Sequence, residues 1–337
     1  MTVAASLLEV RGLRKYFPVG RWRPGGRQPA VRAVDGVSFA IPNGGTLGLV
    51  GESACGKTTT GWMIARLLDP TGGAIVFSGQ DITRLRGQAL RRFRPNIQVI
   101  FQDPYTSLNP RLSVGQIVAE PLRINRRGTT SEIGRRVDAL LDAVGLPAEA
   151  ARRLPQEFSG GQRQRIAIAR ALALEPRLII CDEPVSALDM SVQAKILNLL
   201  RDLQRRLGVS YLFISHDLSV VRIVSDVIAV MYVGQIVESG PADAVFADPR
   251  HPYTQALMAA VPDPYRRTGV TALPGEVPSN ITPPHGCRFA PRCPAKMAIC
   301  EASPPALHEV ESGRRVACFL HHSLTDEKVS VEKGSAA

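Results

Sequence analysis

Gly51, Gly56, Lys57 and Thr58 stand at the spacing G-x-x-x-x-G-K-T in the run Gly51-Glu52-Ser53-Ala54-Cys55-Gly56-Lys57-Thr58-Thr59. Glycines let backbone N–H groups turn inward around phosphate oxygens, and a helix starting at the loop's end adds its positive pole. Lys57 would bridge the terminal phosphates of a nucleotide, and the Thr58 hydroxyl would hold Mg²⁺. Residues Gly51 to Thr59 are thus the expected nucleotide cradle. A second stretch, Leu178-Ile179-Ile180-Cys181-Asp182-Glu183, is an apolar run ending in two carboxylates. Beside a phosphate loop, Asp182 can reach the Mg²⁺, usually through water, and Glu183 can polarise an attacking water as general base. Structural ion pairing explains either carboxylate alone, but rarely both in that place. The chemistry predicted is nucleotide hydrolysis.

Such a loop needs a strand before it and a helix after it. Thr46-Leu47-Gly48-Leu49-Val50 reads as a short buried strand, and Met63, Ile64, Leu67 and Leu68 fall at helical spacing behind the loop. Arg177 to Cys181, Ser210 to Ser215 and Val227 to Val233 are further short apolar runs. An amphipathic helix with Ile196, Leu199, Leu200 and Leu203 separates the first two. That alternation predicts a mostly parallel α/β sheet. Leu8 to Val10 and Val31 to Ile41 read as strands, with an exposed loop from Pro18 to Pro29 and a turn at Pro42 to Gly45. Arg84 to Ala173 reads as helical and arginine-rich, with few strand signals. After about Pro262 prolines crowd in and periodicity fades, which marks a small loop-rich module; from about Thr325 a disordered tail is expected.

Composition bounds the alternatives. The 337 residues are 45% hydrophobic and 21% charged, which suits a globular chain of two domains, or of one large domain with an appendage. The apolar runs fall far short of the roughly 20 residues of a membrane span. Met1 to Val10 lacks the basic start and long apolar core of a secretory signal. The expectation is a soluble chain of the cytoplasm. A net charge of +11 suits nucleic acid, nucleotide phosphates or an anionic membrane surface. The arginines cluster at Arg84, Arg86, Arg91, Arg92 and Arg94, then at Arg126/Arg127, Arg135/Arg136 and Arg152/Arg153. No aromatics interleave with them as a single-strand platform needs, so they read as solvated helix faces. Charge alone decides nothing.

Phe158-Ser159-Gly160-Gly161-Gln162, followed by Arg163-Gln164-Arg165, closely resembles the signature sequence of the ATP-binding-cassette ATPases. Further elements of that family stand in order: Tyr16 as the adenine-stacking aromatic, Gln102 in Phe101-Gln102-Asp103-Pro104, Ser186-Ala187-Leu188-Asp189 as the D-loop, and His216 after Phe213-Ile214-Ser215. The resemblance covers about Leu7 to Pro262. It implies a cassette domain over residues 1–262: an α/β P-loop core with an N-terminal antiparallel β part and an inserted helical subdomain at about 84–173. It implies that Ser159, Gly160, Gly161, Gln162 and Asp189 serve the ATP of a partner cassette in a head-to-tail dimer. Gln102 would join Thr58 and Asp182 around Mg²⁺, and His216 would contact the γ-phosphate of the chain's own ATP. Tyr16 would stack on adenine, a role the neighbouring Phe17 could also fill. Ala54 departs from the pattern, which has glycine there; a Cβ is costly if φ is positive. Cys55, near Lys57 at a helix N-terminus, is either a thiol of lowered pKa or a packing residue.

Arg32 to Phe39, Phe101 to Pro110, and His251-Pro252-Tyr253-Thr254 with Ala260-Val261-Pro262 resemble the oligopeptide/dipeptide-permease ATPases. Val185-Ser186 and Tyr105 resemble the F-type rather than the D-type subunit. The implied protein lies peripherally on the cytoplasmic face of the cell membrane and hydrolyses ATP to import di- or oligopeptides. Its implied partners are a D-type cassette, two permease subunits and, indirectly, a periplasmic or surface solute-binding protein, with no nucleic acid. The rivals are a cassette ATPase acting on nucleic acid, prompted by the charge, and a non-hydrolysing subunit, prompted by Ala54. An importer of metal chelates or glycosides is a third.

Cys287, Cys293, Cys300 and Cys318 lie in the expected module, residues 263–324, with 5, 6 and 17 residues between successive members. Two disulfides are possible, but a reducing cytosol favours thiolate ligation of a metal. Zinc sites usually show a tight C-x₂₋₄-C knuckle, absent here. Four thiolates without knuckles suit a [4Fe–4S] cluster at least as well as Zn²⁺, and the resemblance implies the cluster. His285, His321 and His322 are possible substitute ligands.

Overall fold

The computed structural model describes residues 6–20, 28–260 and 275–321. Twelve strands are assigned among them: β1 (Ser6–Pro18), β2 (Ala30–Pro42), β3 (Thr46–Val50), β4 (Gly72–Phe77), β5 (Gln80–Asp81), β6 (Ile97–Ile100), β7 (Leu178–Asp182), β8 (Ser210–Ser215), β9 (Val227–Tyr232), β10 (Gln235–Pro241), β11 (His308–Glu311) and β12 (Arg314–Val316). They form two sheets, in the orders β2-β1-β4-β5 and β11-β12-β10-β9-β3-β8-β7-β6. The first is antiparallel throughout. In the second, β6, β7, β8, β3 and β9 run parallel.

Burial on both faces explains why the central strands are continuous apolar runs. Every residue of β3, β7 and β8 is buried. Side chains alternate across the pleat. Leu178 and Ile180 therefore join the core shared with the antiparallel sheet and the helix Lys57–Ile64, whereas Ile179 and Cys181 join the core shared with the remaining helices.

Two stretches differ from the sequence reading. The arginine-rich segment is not wholly helical, because β6 runs through it and pairs in parallel with β7, from Ile97↔Leu178 to Ile100↔Cys181. Four residues are too few to show a period, and the flanking helical pattern masks them. Helices then follow at Val114–Ile124, Thr130–Ala143 and Gly160–Leu172, each begun by a reciprocal capping box, from Ser113, Thr129 and Ser159. The clustered arginines are exposed, Arg136 alone being half-buried.

The cysteine segment is not a free-standing appendage either. Its strands β11 and β12 extend the main sheet, with Glu238↔Val316 and Ser239↔Arg315 joining β10 to β12. A buried ion pair fastens this edge: Arg314 lies 3.0 Å from the Glu238 carboxylate, which also accepts from the backbone N–H groups of Arg250 and His251 at 3.0 and 2.9 Å. The boundary expected at 262/263, the tail expected at 325–337 and His322 lie outside the described residues. Among those described, no helix is long and apolar enough to cross a membrane.

Candidate active site

β3 delivers the chain into the glycine-rich loop, and the helix Lys57–Ile64 leaves it. Two glycines there are dictated by close approach. A Cβ on Gly51 would stand 2.1 Å from the Met231 carbonyl, and one on Gly56 2.1 Å from the Ala33 carbonyl. Ala54 takes φ +61°, so the alanine bears the left-handed cost that its departure from the glycine pattern raised. Lys57 is buried, and its ammonium donates to the carbonyls of Gly51 and Glu52 at 2.8 and 2.9 Å. Cys55 is buried too, and burial pushes its thiol above the ordinary range, outweighing the Lys57 charge. The structure thus answers the question Cys55 raised: it packs, and its thiol is not activated.

The second sequence motif meets the first here. The Thr58 hydroxyl donates to the Asp182 carboxylate at 2.9 Å. Burial lifts the Asp182 carboxyl above the usual carboxylate range; the Glu183 charge adds to this, while Thr58 and Lys57 oppose it. A hydroxyl beside a carboxylate is an oxygen donor set suited to a hard divalent cation such as Mg²⁺, which would favour the ionised acid.

Glu183 follows β7 with φ +49°, and its N–H donates to the Ile214 carbonyl at 2.9 Å. This left-handed turn sends the carboxylate out of the strand line. One carboxylate oxygen lies 3.0 Å from His216 Nδ1, and the other accepts from Gln102 Nε2 at 2.9 Å. Two residues from separate parts of the chain thus converge on one carboxylate. Donation from Nδ1 to this carboxylate and from Nε2 to a phosphate oxygen together require both ring nitrogens to be protonated.

Ser159, Gly160, Gly161, Gln162 and Asp189 are brought together elsewhere. Ser159 caps the helix Gly160–Leu172, and Asp189 caps the helix Met190–Leu207 by accepting from Val192 N–H at 2.9 Å. A Cβ on Gly161 would lie 2.4 Å from Val192, and one on Gly160 3.2 Å from Leu188. Signature and D-loop therefore pack directly together. Ser159, Gln162 and Asp189 are exposed.

Tyr16 lies near the end of β1, half-buried, and its hydroxyl donates to Asp35. Phe17 is exposed, with the Lys15 ammonium 5.1 Å from its ring centre. Two contacts at the loop went unread in the sequence. The Tyr253 hydroxyl accepts from the Glu52 N–H at 2.9 Å, and Arg292 pairs with the Glu52 carboxylate at 3.0 Å. The first had a signal in the His251–Thr254 motif; the second had none, since 240 residues separate the partners.

All four C-terminal cysteines are free thiols, and with His251, Phe289 and Met297 they line one small cavity. Burial raises the thiols of Cys287 and Cys293, and that of Cys318 to about 11; charge on neighbouring cysteines would raise each further. Burial holds the His251 imidazole down to about 3, and its Nδ1 accepts from Tyr253 N–H at 3.0 Å. His321 Nε2 lies 3.0 Å from the Arg250 carbonyl, and His285 is exposed. Among the described residues no group of three or more His, Cys, Asp or Glu is placed to hold a metal ion.

Residues 34–186 match the family described as ABC transporter, and residues 237–300 match the oligopeptide/dipeptide transporter C-terminal region. The chain is 51% identical over 317 residues to the "Probable peptide ABC transporter ATP-binding protein y4tS" of Sinorhizobium fredii, covering 94% of this chain and 90% of that one. It is 49% identical over 321 residues to the oligopeptide transport ATP-binding protein AppF of Bacillus subtilis, covering 94% and 98%. Among solved structures, cbiO1 of Clostridium perfringens, part of the ABC transporter complex cbiONQ, superposes with a TM-score of 0.63 at 29% identity over 72% of this chain and 92% of that one. The cassette MJ0796, a dimer in a post-hydrolysis state bound to ADP and Pi, superposes with a TM-score of 0.62 at 28% identity over 70% and 98%.

Proposed function

The chain belongs to the ABC transporter family, in its oligopeptide/dipeptide branch, and we propose that it is the ATP-hydrolysing subunit of an importer for di- or oligopeptides. The convergence of Gln102, Glu183 and His216 beside the Thr58–Asp182 pair carries the catalytic half of this reading. The peptide half rests on two relatives named for peptide and oligopeptide transport, each about half identical over nearly the whole chain.

ATP lies with its phosphates in the loop Gly51 to Thr59, and Lys57 turns from its own carbonyls to the phosphate oxygens. Thr58 and Asp182, with Gln102 near, would hold Mg²⁺, which would neutralise phosphate charge. Gln102 orients a water, whose oxygen attacks the γ-phosphorus as the bond to the β-phosphate oxygen breaks. Glu183 takes the water's proton and ADP departs. His216 contacts the γ-phosphate. Ser159, Gly160, Gly161, Gln162 and Asp189 complete the site of a partner cassette across a head-to-tail dimer. Closure of that dimer drives two permease subunits against which this chain sits peripherally, on the cytoplasmic face. The partner is a D-type cassette and this chain the F-type. The cassette spans residues 1–262 and the cysteine segment 263–324.

The nucleic-acid rival loses its footing, because the clustered arginines scatter over the helices Gly87–Phe93 and Thr130–Ala143 and over separate turns, and Arg153 covers the Phe158 ring at 4.3 Å rather than leaving it to stack on a base. A complex of this chain, the second cassette and the permeases, in vesicles, is expected to hydrolyse ATP several-fold faster with peptide-loaded binding protein. Stimulation by DNA or RNA with no response to peptide would overturn the reading.

For the cysteines we infer an iron–sulfur cluster rather than zinc. Four free thiols lining one small cavity are the donor type of an iron–sulfur core. Cys287, Cys293, Cys300 and Cys318 would hold it, and it would cross-link the C-terminal loops. No step of hydrolysis passes through it. Chain purified without oxygen is expected to carry about four irons and four sulfides, lost in Cys300→Ser. Stoichiometric zinc, or no metal, would refute this.

A further inference from the structure

The C-terminal segment reaches the nucleotide site through two arginines, each beside a cysteine, and through the Asn280 carbonyl, which accepts from the N–H of Arg32, the β2 partner of Tyr16, at 2.9 Å. Arg288 follows Cys287. One of its nitrogens pairs with Asp35 and the other donates to the Val233 carbonyl. The second Asp35 oxygen accepts from the Tyr16 hydroxyl, so a continuous chain of charge-assisted bonds runs from the segment to the adenine platform. Arg292 precedes Cys293. Its Nη1 donates to both Glu52 oxygens at 3.2 and 3.0 Å, and to the Tyr232 hydroxyl at 3.4 Å. Glu52 is the second residue of the phosphate loop. Both guanidinium groups are nearly buried, at 8% and 7% exposure.

The backbone between these points is held in a conformation it would not choose alone. Val233, a β-branched residue, sits at φ +43°. Its neighbour Gly234 donates to the Cys55 carbonyl at 2.9 Å and accepts from Asp35 N–H at 2.8 Å. Such a strained residue persists only where its surroundings over-determine it, and Arg288 supplies one of the fixing bonds. The phosphate loop, the turn after β9 and the start of β2 are therefore clamped together from the C-terminal side.

We propose that Arg288 and Arg292 are positioning residues of the ATP site: Arg288 fixes the adenine platform through Asp35 and Tyr16, and Arg292 fixes the mouth of the phosphate loop through Glu52. This rests on the ATP-site reading above, and it assigns the C-terminal segment a part in nucleotide recognition. The two arginines act on different parts of the same ligand, so their loss separates by ligand. Arg288→Ala is expected to weaken ATP about tenfold and inorganic triphosphate distinctly less, since its bond to the Val233 carbonyl reaches the phosphate loop only through Gly234 and Cys55. Arg292→Ala is expected to weaken ATP and inorganic triphosphate alike, each about tenfold, the scale of one charge-assisted contact. In the assembled complex both raise KM for ATP with kcat within about twofold, and Arg292→Lys and Arg288→Lys recover part of the loss.

Affinities for MgATP and for inorganic triphosphate, with melting temperatures, test this on the full chain. Glu52→Gln and Asp35→Asn cut the same pairs from their more accessible ends, should an arginine variant fail to fold. They are expected to reproduce the Arg292→Ala and Arg288→Ala patterns respectively. Lowered melting temperatures with unchanged affinities would reduce both arginines to structural staples and overturn the proposal. Equal loss of ATP and triphosphate in Arg288→Ala and Asp35→Asn would overturn the platform assignment. Failure of the unsubstituted chain to bind MgATP would instead strike at the ATP-site reading itself.

Discussion

Glu183→Gln stops turnover while ATP stays bound, and the assembled complex collects in its closed, ATP-loaded form. Loss of a general base costs on the order of 10²–10⁴ in rate, and here the same carboxylate also organises its neighbours. It takes a bond from Gln102 through one oxygen and faces His216 Nδ1 through the other. A glutamine keeps the volume, but its single carbonyl can accept from only one of the two. Binding is spared for an electrostatic reason. Among the influences that raise the Asp182 carboxyl, burial comes first and the Glu183 charge second. Removing that charge lets the Asp182 carboxyl fall back toward the usual carboxylate range, and it leaves Lys57, Thr58 and Asp182 in place for nucleotide and cation. The checks are phosphate release and the fraction of nucleotide retained on the complex after gel filtration. Normal turnover in the assembled variant would remove Glu183 from the role of base. Turnover lost together with nucleotide would show that the carboxylate serves binding instead.

The parts of this site that were legible in sequence are those whose chemistry is local. Eight consecutive residues declare the phosphate loop, because the backbone curvature, the lysine and the hydroxyl must all come from one turn. The strand ending in Asp182-Glu183 was legible for a similar reason, an apolar run ending in adjacent carboxylates. His216 and Gln102 needed the family resemblance, since no local pattern ties either to Glu183. Ala54 shows a departure from pattern foretelling backbone geometry, as its φ of +61° bears out. Cys55 shows the opposite. Neighbouring charge and burial act on its thiol in opposing directions, and only three dimensions reveal that burial wins. The strand β6 was hidden because its only support is a parallel neighbour about 80 residues away, from Ile97 to Leu178. The same holds for β12, whose place is set by β10 and by the buried Arg314–Glu238 pair. Pairings at such range leave no periodic trace in either segment.

Lys57→Ala is expected to weaken ATP by about 10–10³, and the structure says why the loss is not larger. The ammonium is already satisfied without nucleotide, by the carbonyls of Gly51 and Glu52 at 2.8 and 2.9 Å. Phosphate binding therefore exchanges two neutral acceptors for charged ones. Bonds to charged groups contribute about 1.5–3 kcal/mol each against about 1 for neutral pairs, so two exchanges give roughly 1–4 kcal/mol of affinity. The variant also strips those two carbonyls of a donor, which loosens the loop and could by itself lower affinity. Ala54→Gly separates the two causes. It relieves a left-handed Cβ worth about 1–2 kcal/mol while adding chain entropy worth about 0.5–1 kcal/mol, so loop stability shifts by no more than about 1.5 kcal/mol. Its ATP affinity should stay within about tenfold of the parent. If Lys57→Ala and Ala54→Gly,Lys57→Ala are equally weak, the lost charge is the cause. Recovery of most of the affinity in the double variant would assign the loss to loop disorder. A parent chain that binds no ATP until Ala54 becomes glycine would show that the strained alanine, not the lysine, governs this loop.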